Sequence, residues 1–480
     1  MENIENMENR GNKMIKNNKS RIVLNLFFLF LFALFVLTLI VFAKENTKIE
    51  VFNKYLESGD YTKAQEIVNQ IDSKFDALLA QMILYAYKDK DLQNAKKVLK
   101  ILKDEFVNKV KNENQKNLNF SKILYNWGYI LYNVKKDIYQ SEIAFNESLK
   151  YNPENIDSIV FLAKISYDKN DLDNAEELLN RAYSLALSKN YSDMVQLVSI
   201  YTDVLIENKR YSKAKNILEN YYSKDNRLLL KYAKVLTYLD ELVQANDIIK
   251  QYLEKDNNNL ESYYILGLTY KRSYIKIPEA LDFINSINPD KNDRYYIKLA
   301  QFYEGVGDID MAINNYDKAL SLNKQNKKYY ILAITYAIDV GKTNRAVNWA
   351  YELYNKYPDD FYSSYLLALC YEGVKNFDKA KEFYYKAIDI DSSKYEPYIR
   401  LSRIFLEEET DFDNSAKMLI KGYYNVGDVY YKNRFKKALK DLLDLEKEFK
   451  KKYKEKTGLD ISKPIKEETL NEINKIISES

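Results

Sequence analysis

A small side chain recurs at Ala64, Ala95, Ser141, Ala175, Ala214, Ala245, Ala280, Ala312, Ala346, Ala380 and Ala416, mostly 31 to 36 residues apart, with wider steps of 46 before Ser141 and 39 before Ala214. A second series, Gly128, Ala163, Thr202, Ala233, Gly267, Ala300, Ala333, Ala368 and Ser402, keeps the same period. An aromatic ring follows three residues later at Tyr270, Tyr303, Tyr336, Tyr371 and Phe405. A period near 34 held this long restricts the fold to stacked supersecondary units, each too small to bury its apolar face alone.

Each unit reads as two helices. In GVGDIDMAINNYDKAL, Ala312, Tyr316 and Ala319 are spaced four and three apart, so they share one helical face. The small outer residues let a neighbouring helix approach closely. Gly307 tolerates a positive φ and Asp308 supplies an N-cap, so the Gly-Asp pair reads as a helix-to-helix turn. With 11 glycines and six prolines in 480 residues, and 46% apolar against 30% charged, the composition favours a long helical array over several sheet domains.

On YYILGLTYKRS at 263–273 and YDKALSLN at 316–323, with Pro153, Pro289 and Pro358 closing three units, the chain resembles the tetratricopeptide repeat family. The resemblance implies an all-α solenoid, a right-handed superhelix of about eleven helix pairs over residues 44–422. The second unit carries Ile83 where a small residue is expected, and KVKNENQKNLN marks an enlarged connection before Ser141. Beyond 422 the pattern lapses. Phe435, Leu439, Leu442, Leu445, Phe449 and Tyr453 form one helical stripe, and residues 423–480 are expected as helices capping the open end. Residues 432–456 hold eleven basic and five acidic groups, either a solvated outer face or a contact with anionic lipid.

The amino end sets a separate expectation. Residues 22–43 carry no charge, and 22 residues at about 1.5 Å each match a hydrocarbon core of about 30 Å. Arg10, Lys13, Lys16, Lys19 and Arg21 precede them, whereas Lys44 alone follows closely. This predicts a short cytoplasmic segment at 1–21 and a transmembrane helix at 22–43, with everything after Ala43 exported at the cell envelope. The alternative is a signal peptide cleaved after Ala43, giving a secreted protein.

Much chemistry is excluded. The chain has no histidine and one cysteine, Cys370, so His-based triads, Cys/His pairs, His-ligated metals and intrachain disulfides are ruled out. GVGDID has Asp310 where a dinucleotide loop needs a third glycine, and GKT at 341–343 has Tyr336 where a phosphate loop needs glycine. The acidic run Glu407–Asp413 lacks calcium-loop spacing and reads as a solvated turn. No catalytic, cofactor or metal site emerges, and a net charge of +3 makes the chain a poor nucleic-acid binder.

In the family, the inner surface is lined by the first helix of each unit and receives peptides. Carried across, that surface includes Arg227, Lys231 and Lys234, then Glu261, Tyr264 and Leu268, then Arg294 and Lys298. The basic groups and Tyr264 either hold an acidic partner segment or are ordinary solvated charges. Family members that clamp a terminal carboxylate use a Lys/Asn set where Val160, Ser199 and Asp203 stand here, which argues against that ligand. The expectation is a non-enzymatic, membrane-tethered scaffold binding envelope proteins or peptides. The alternative is a regulatory subunit of an envelope-polymer or lipid-assembly enzyme.

Overall fold

The computed structural model describes residues 46–478 apart from 91, 190, 192, 274–276 and 428. Among the described residues there are 24 α-helices and no strand. Twenty-two of them form eleven successive pairs. The first seven are α1 (Asn46–Glu57) with α2 (Tyr61–Val68), α3 (Lys74–Asp89) with α4 (Gln93–Lys103), α5 (Glu113–Ile130) with α6 (Ile138–Tyr151), α7 (Ile156–Asp168) with α8 (Leu172–Lys189), α9 (Met194–Glu207) with α10 (Tyr211–Leu218), α11 (Asn226–Tyr238) with α12 (Leu242–Lys255), and α13 (Leu260–Arg272) with α14 (Ile277–Ile287). The next four are α15 (Asp293–Val306) with α16 (Ile309–Leu322), α17 (Lys327–Asp339) with α18 (Thr343–Lys356), α19 (Phe361–Gly373) with α20 (Phe377–Ile390), and α21 (Glu396–Glu407) with α22 (Phe412–Asn425). Two helices follow, α23 (Val429–Thr457) and α24 (Glu467–Ser478).

The chain divides into two units. One runs through Pro289 and takes in Glu304–Gly307; the other comprises Asp290–Tyr303 and everything from Asp308. Within each, the recurring small residues do the packing. All eleven second-helix anchors, from Ala64 to Ala416, are fully buried. The first-helix series is buried as well, including Ala163, Thr202, Ala233, Ala300, Ala333 and Ala368 at 0% exposure. A Cβ there occupies the space a larger side chain would need, so a bulkier residue would force the helices apart. Ile83, the expected misfit, is also buried and joins the same apolar cluster.

The turn between α15 and α16 shows the design that several pairs share in part. Gly307 has φ +83°, and the Asp308 amide donates back to the Tyr303 carbonyl at 3.0 Å. The Asp308 carboxylate then accepts from the Met311 amide, capping α16. This is a left-handed helix stop followed by an N-cap. Glycine is not required for it: Asn170, Lys209, Asp240, Lys375 and Thr410 take the same left-handed conformation at their turns. There the six-residue backbone bond, such as Arg210 N–H to Leu205 O at 2.7 Å, offsets the strain.

The step of 46 has a local cause. The fourth helix runs on into a π-helical turn, Asp104–Asn108, and α5 begins early at Glu113, capped by Asn112. At the other end, α23 lies on α22, where a Cβ on Gly422 would run into the Phe435 ring. The α23 stripe is buried through Phe435, Leu439 and Leu442, then opens, with Tyr453 36% exposed. The acidic run expected as a solvated turn is exposed at Glu408, but its last members, Asp411 and Asp413, are buried, and Asp413 anchors the carboxyl end. Asp413 is 5% exposed and accepts from the Lys466 amide at 3.0 Å and the Thr469 hydroxyl at 2.7 Å.

The single-pass, exported arrangement is not upheld. No described helix is long and apolar enough to cross a membrane. The reason lies in length and pattern: the apolar α9 has 14 residues, about 21 Å at 1.5 Å each against the roughly 30 Å required. The longest helix, α23 with 29 residues, is studded with lysines. Residues 1–21 and the 22–43 segment behind the transmembrane and signal-peptide expectations lie outside the described residues.

Candidate functional site

Successive first helices present matching positions, six residues before and one residue after the buried small residue. In the first unit these are Lys122, Asp157, Gln196, Arg227 and Glu261, and Tyr129, Lys164, Asp203, Lys234 and Leu268. Seven residues, about two helical turns, apart on the same face, they make a largely polar strip. Its members pair mostly with the neighbouring repeat. Lys122 reaches Asp76 on α3 at 2.8 Å, Tyr191 donates to Asp157 at 2.5 Å, and Lys234 reaches Glu261 on α13 at 2.8 Å.

Lys231, between these two positions on α11, is enclosed as well. It is 7% exposed and donates to the Ser199 carbonyl at 2.6 Å and hydroxyl at 2.7 Å, with the Asp203 carboxylate 2.7 Å away. Burial pushes Lys231 down and Asp203 up, each toward its neutral form, while their mutual attraction opposes this. Burial also pushes Asp157 up to about 6, against the Tyr191 hydrogen bond, and Lys164 down to about 8. By contrast the Lys234 ammonium holds Glu261 below its usual range. Arg227 folds back onto Asp225, its own helix cap, through two bonds of 2.8 Å.

Of the six residues named from sequence, Arg227, Lys231, Lys234 and Tyr264 therefore lie in the first unit. Lys231 and Arg227 are held internally, whereas Lys234 and Tyr264 are half-exposed. Arg294 and Lys298 lie on α15 in the second unit, where Arg294 is exposed and Lys298 is 5% exposed. Sequence reading missed Asp157, Lys164 and the acceptors Ser199 and Asp203 as parts of the strip. The signal was available: opposite charges in matching register one repeat away, Lys231 after Asp203 and Lys234 before Glu261.

The second unit has a different polar centre. Glu372, at the end of α19, accepts from Arg400 at 3.2 Å, Arg403 at 2.5 Å and the Tyr384 hydroxyl at 2.5 Å. Its side chain is 9% exposed. Cys370, two residues earlier, is fully buried, and burial pushes its thiol well above the usual range.

The tetratricopeptide repeat family model matches residues 293–326 and 362–394. No curated protein matches the chain. Among solved structures, a tetratricopeptide repeat protein from Parabacteroides merdae is 16% identical, over 55% of this chain and 98% of that one, with a TM-score of 0.37. The human IFIT1 dimer with m7Gppp-AAAA is 15% identical over 85% and 91%, TM-score 0.40. The APC/C hetero-tetramer Cut9–Hcn1 is 15% identical over 90% and 94%, TM-score 0.31.

Proposed function

We propose that this chain is a non-enzymatic, protein-binding repeat protein whose first-helix strip in the first unit receives a segment of a partner protein. Tetratricopeptide repeats generally mediate protein–protein contacts, and two stretches of the chain match that repeat. The observation that carries the reading is the ion pair of Lys234 and Glu261 beside the half-exposed Tyr264 and Leu268. A pre-positioned pair of opposite charges next to an aromatic ring suits an extended segment, whose amide donors and carbonyl acceptors meet Glu261 and Lys234 while a side chain lies on Tyr264. Lys231 and Arg227 act behind it, fixing α11 against α9 and its own cap. Because Asp157, Asp203 and Glu261 stand among the strip's lysines, the segment it suits is mixed in charge. On α15, the exposed Arg294 offers a contact of the same kind within the second unit, above the buried Lys298.

The test is affinity capture with the wild-type chain, the double variant Lys234→Ala/Tyr264→Ala, and the control Val243→Ser at a 75% exposed site on a second helix. Loss of captured protein by the double variant alone supports the strip. Equal recovery from all three contradicts it.

A further inference from the structure

The insertion before Ser141 builds a cleft that the strip does not include. Where α4 passes into the π-helical turn, a cavity of about 330 Å³ is lined by Lys96, Leu99, Lys100, Lys103, Val107 and Phe120. Its floor is apolar and its rim cationic. The Lys103 ammonium lies 5.5 Å from the Phe120 ring centroid, and the Tyr151 ring packs at a tilt against Phe120 with centroids 4.6 Å apart.

The charge at this cleft is unlike that of the strip. Lys122, Lys231 and Lys234 each have a carboxylate within 2.8 Å. Among the described residues, Lys96, Lys100 and Lys103 have none within ion-pair distance. Asp104, the one acidic group at the rim, is engaged by Asn108 at 3.1 Å. Three cations against one carboxylate around an apolar hole leave net positive charge and apolar surface together, which points to a ligand supplying their complements. The space suits one large side chain, since sites for drug-sized molecules start at about 300 Å³ and run to about 1,000 Å³. A nucleic-acid strand would need cations spread along its backbone rather than gathered around one small hole.

We propose that this cleft is a second docking site, taking an acidic segment of a partner protein that inserts an aromatic side chain between Lys100 and Phe120. The segment's carboxylates meet Lys96, Lys100 and Lys103, and its ring packs on Leu99, Val107 and Phe120. The site does not depend on the strip: it lies on α4, the π-helical turn and α5 and shares no residue with it.

The probe is a fluorescein-labelled pentapeptide, Glu-Glu-Phe-Glu-Glu, read by anisotropy on the full chain. Its controls are Glu-Glu-Ala-Glu-Glu, Lys-Lys-Phe-Lys-Lys and a ten-nucleotide oligo(A) RNA. The expected result is at least about tenfold tighter binding of the acidic phenylalanine peptide than of any control. Lys96→Glu/Lys100→Glu weakens it by about tenfold or more, while Lys234→Ala/Tyr264→Ala leaves it unchanged. Lys100→Ala/Lys103→Ala gives the same loss by removing charge without adding any. No binding, equal binding of the alanine peptide, tighter binding of the RNA, or indifference to both lysine double variants overturns the proposal. Since the strip variant is scored separately, failure here leaves the strip proposal standing, and the reverse.

Discussion

In the first unit, charge is spread along successive first helices as separate pairs: Asp76 with Lys122, Asp203 with Lys231, Lys234 with Glu261. In the second unit, beside separate pairs such as Lys327 with Asp360, charge converges on one enclosed carboxylate, Glu372, which takes Arg400, Arg403 and the Tyr384 hydroxyl together. The two arrangements fail differently. A distributed strip loses one cross-helix link per substitution. A convergent centre loses several links at once when its one carboxylate goes. The first arrangement leaves paired charges half-open for a partner, and the second is a lock between α19, α20 and α21.

The comparison breaks most sharply at Glu372. Glu372→Ala should cost the second unit about 4 kcal/mol, because the enclosed Arg400 guanidinium and the Tyr384 hydroxyl lose this carboxylate and Arg403 is left with Glu407. Urea unfolding would show it, and a cost no larger than that of a strip residue would erase the contrast. Asp203→Ala comes next, at about 3 kcal/mol, leaving the Lys231 ammonium enclosed without its neighbouring carboxylate. Lys231→Met, which removes the charge and keeps the volume, should recover most of that loss in the double variant.

Asp157 gives a smaller effect of opposite sign. Its folded value of about 6 lies above its ordinary 3.8, so its stabilising contribution is present below 3.8 and is lost as pH rises through about 6. Asp157→Asn should therefore melt higher than wild type, by about 1 kcal/mol at about pH 8, with the gap closing toward about pH 4. Lys234→Ala, at a pair whose side chains are 27% and 37% exposed, should cost under about 1 kcal/mol. Its effect belongs to partner binding. The smallest change is Lys375→Gly, at φ +60°, which should stabilise by about 0.5 kcal/mol, since glycine takes that conformation without a Cβ penalty.

What the sequence made legible follows from these forces. Close helix approach admits only small side chains, so Ala64 through Ala416 announce themselves, and all are buried. The turns were half legible. Gly307 declares a left-handed residue, but Lys209, Asp240 and Thr410 adopt the same conformation and give no compositional sign of it. There the backbone bonds decide, and the side chain tolerates the outcome. The strip was legible as a face and not as a network. Helical spacing puts Arg227, Lys231 and Lys234 together, but their acceptors come from elsewhere: Asp225 at the helix cap, Asp203 and Ser199 from the preceding first helix, and Glu261 from the following one. Reading along one helix misses acceptors set by another. The acidic run at Glu407–Asp413 was misread at Asp413 for a related cause, since that residue's partners Lys466 and Thr469 lie some fifty residues on. The exported, membrane-anchored arrangement rested on one apolar segment outside the described residues, and no described helix is long and apolar enough to cross a membrane.

The account turns on the first-helix strip being the surface that meets a partner. Site-specific photocrosslinking in the cells of origin, with the reactive side chain placed at Tyr264 or at Val243, tests it directly. Discrete protein adducts from position 264 and none from 243 are the expected result. Adducts from 243 with none from 264 would contradict it.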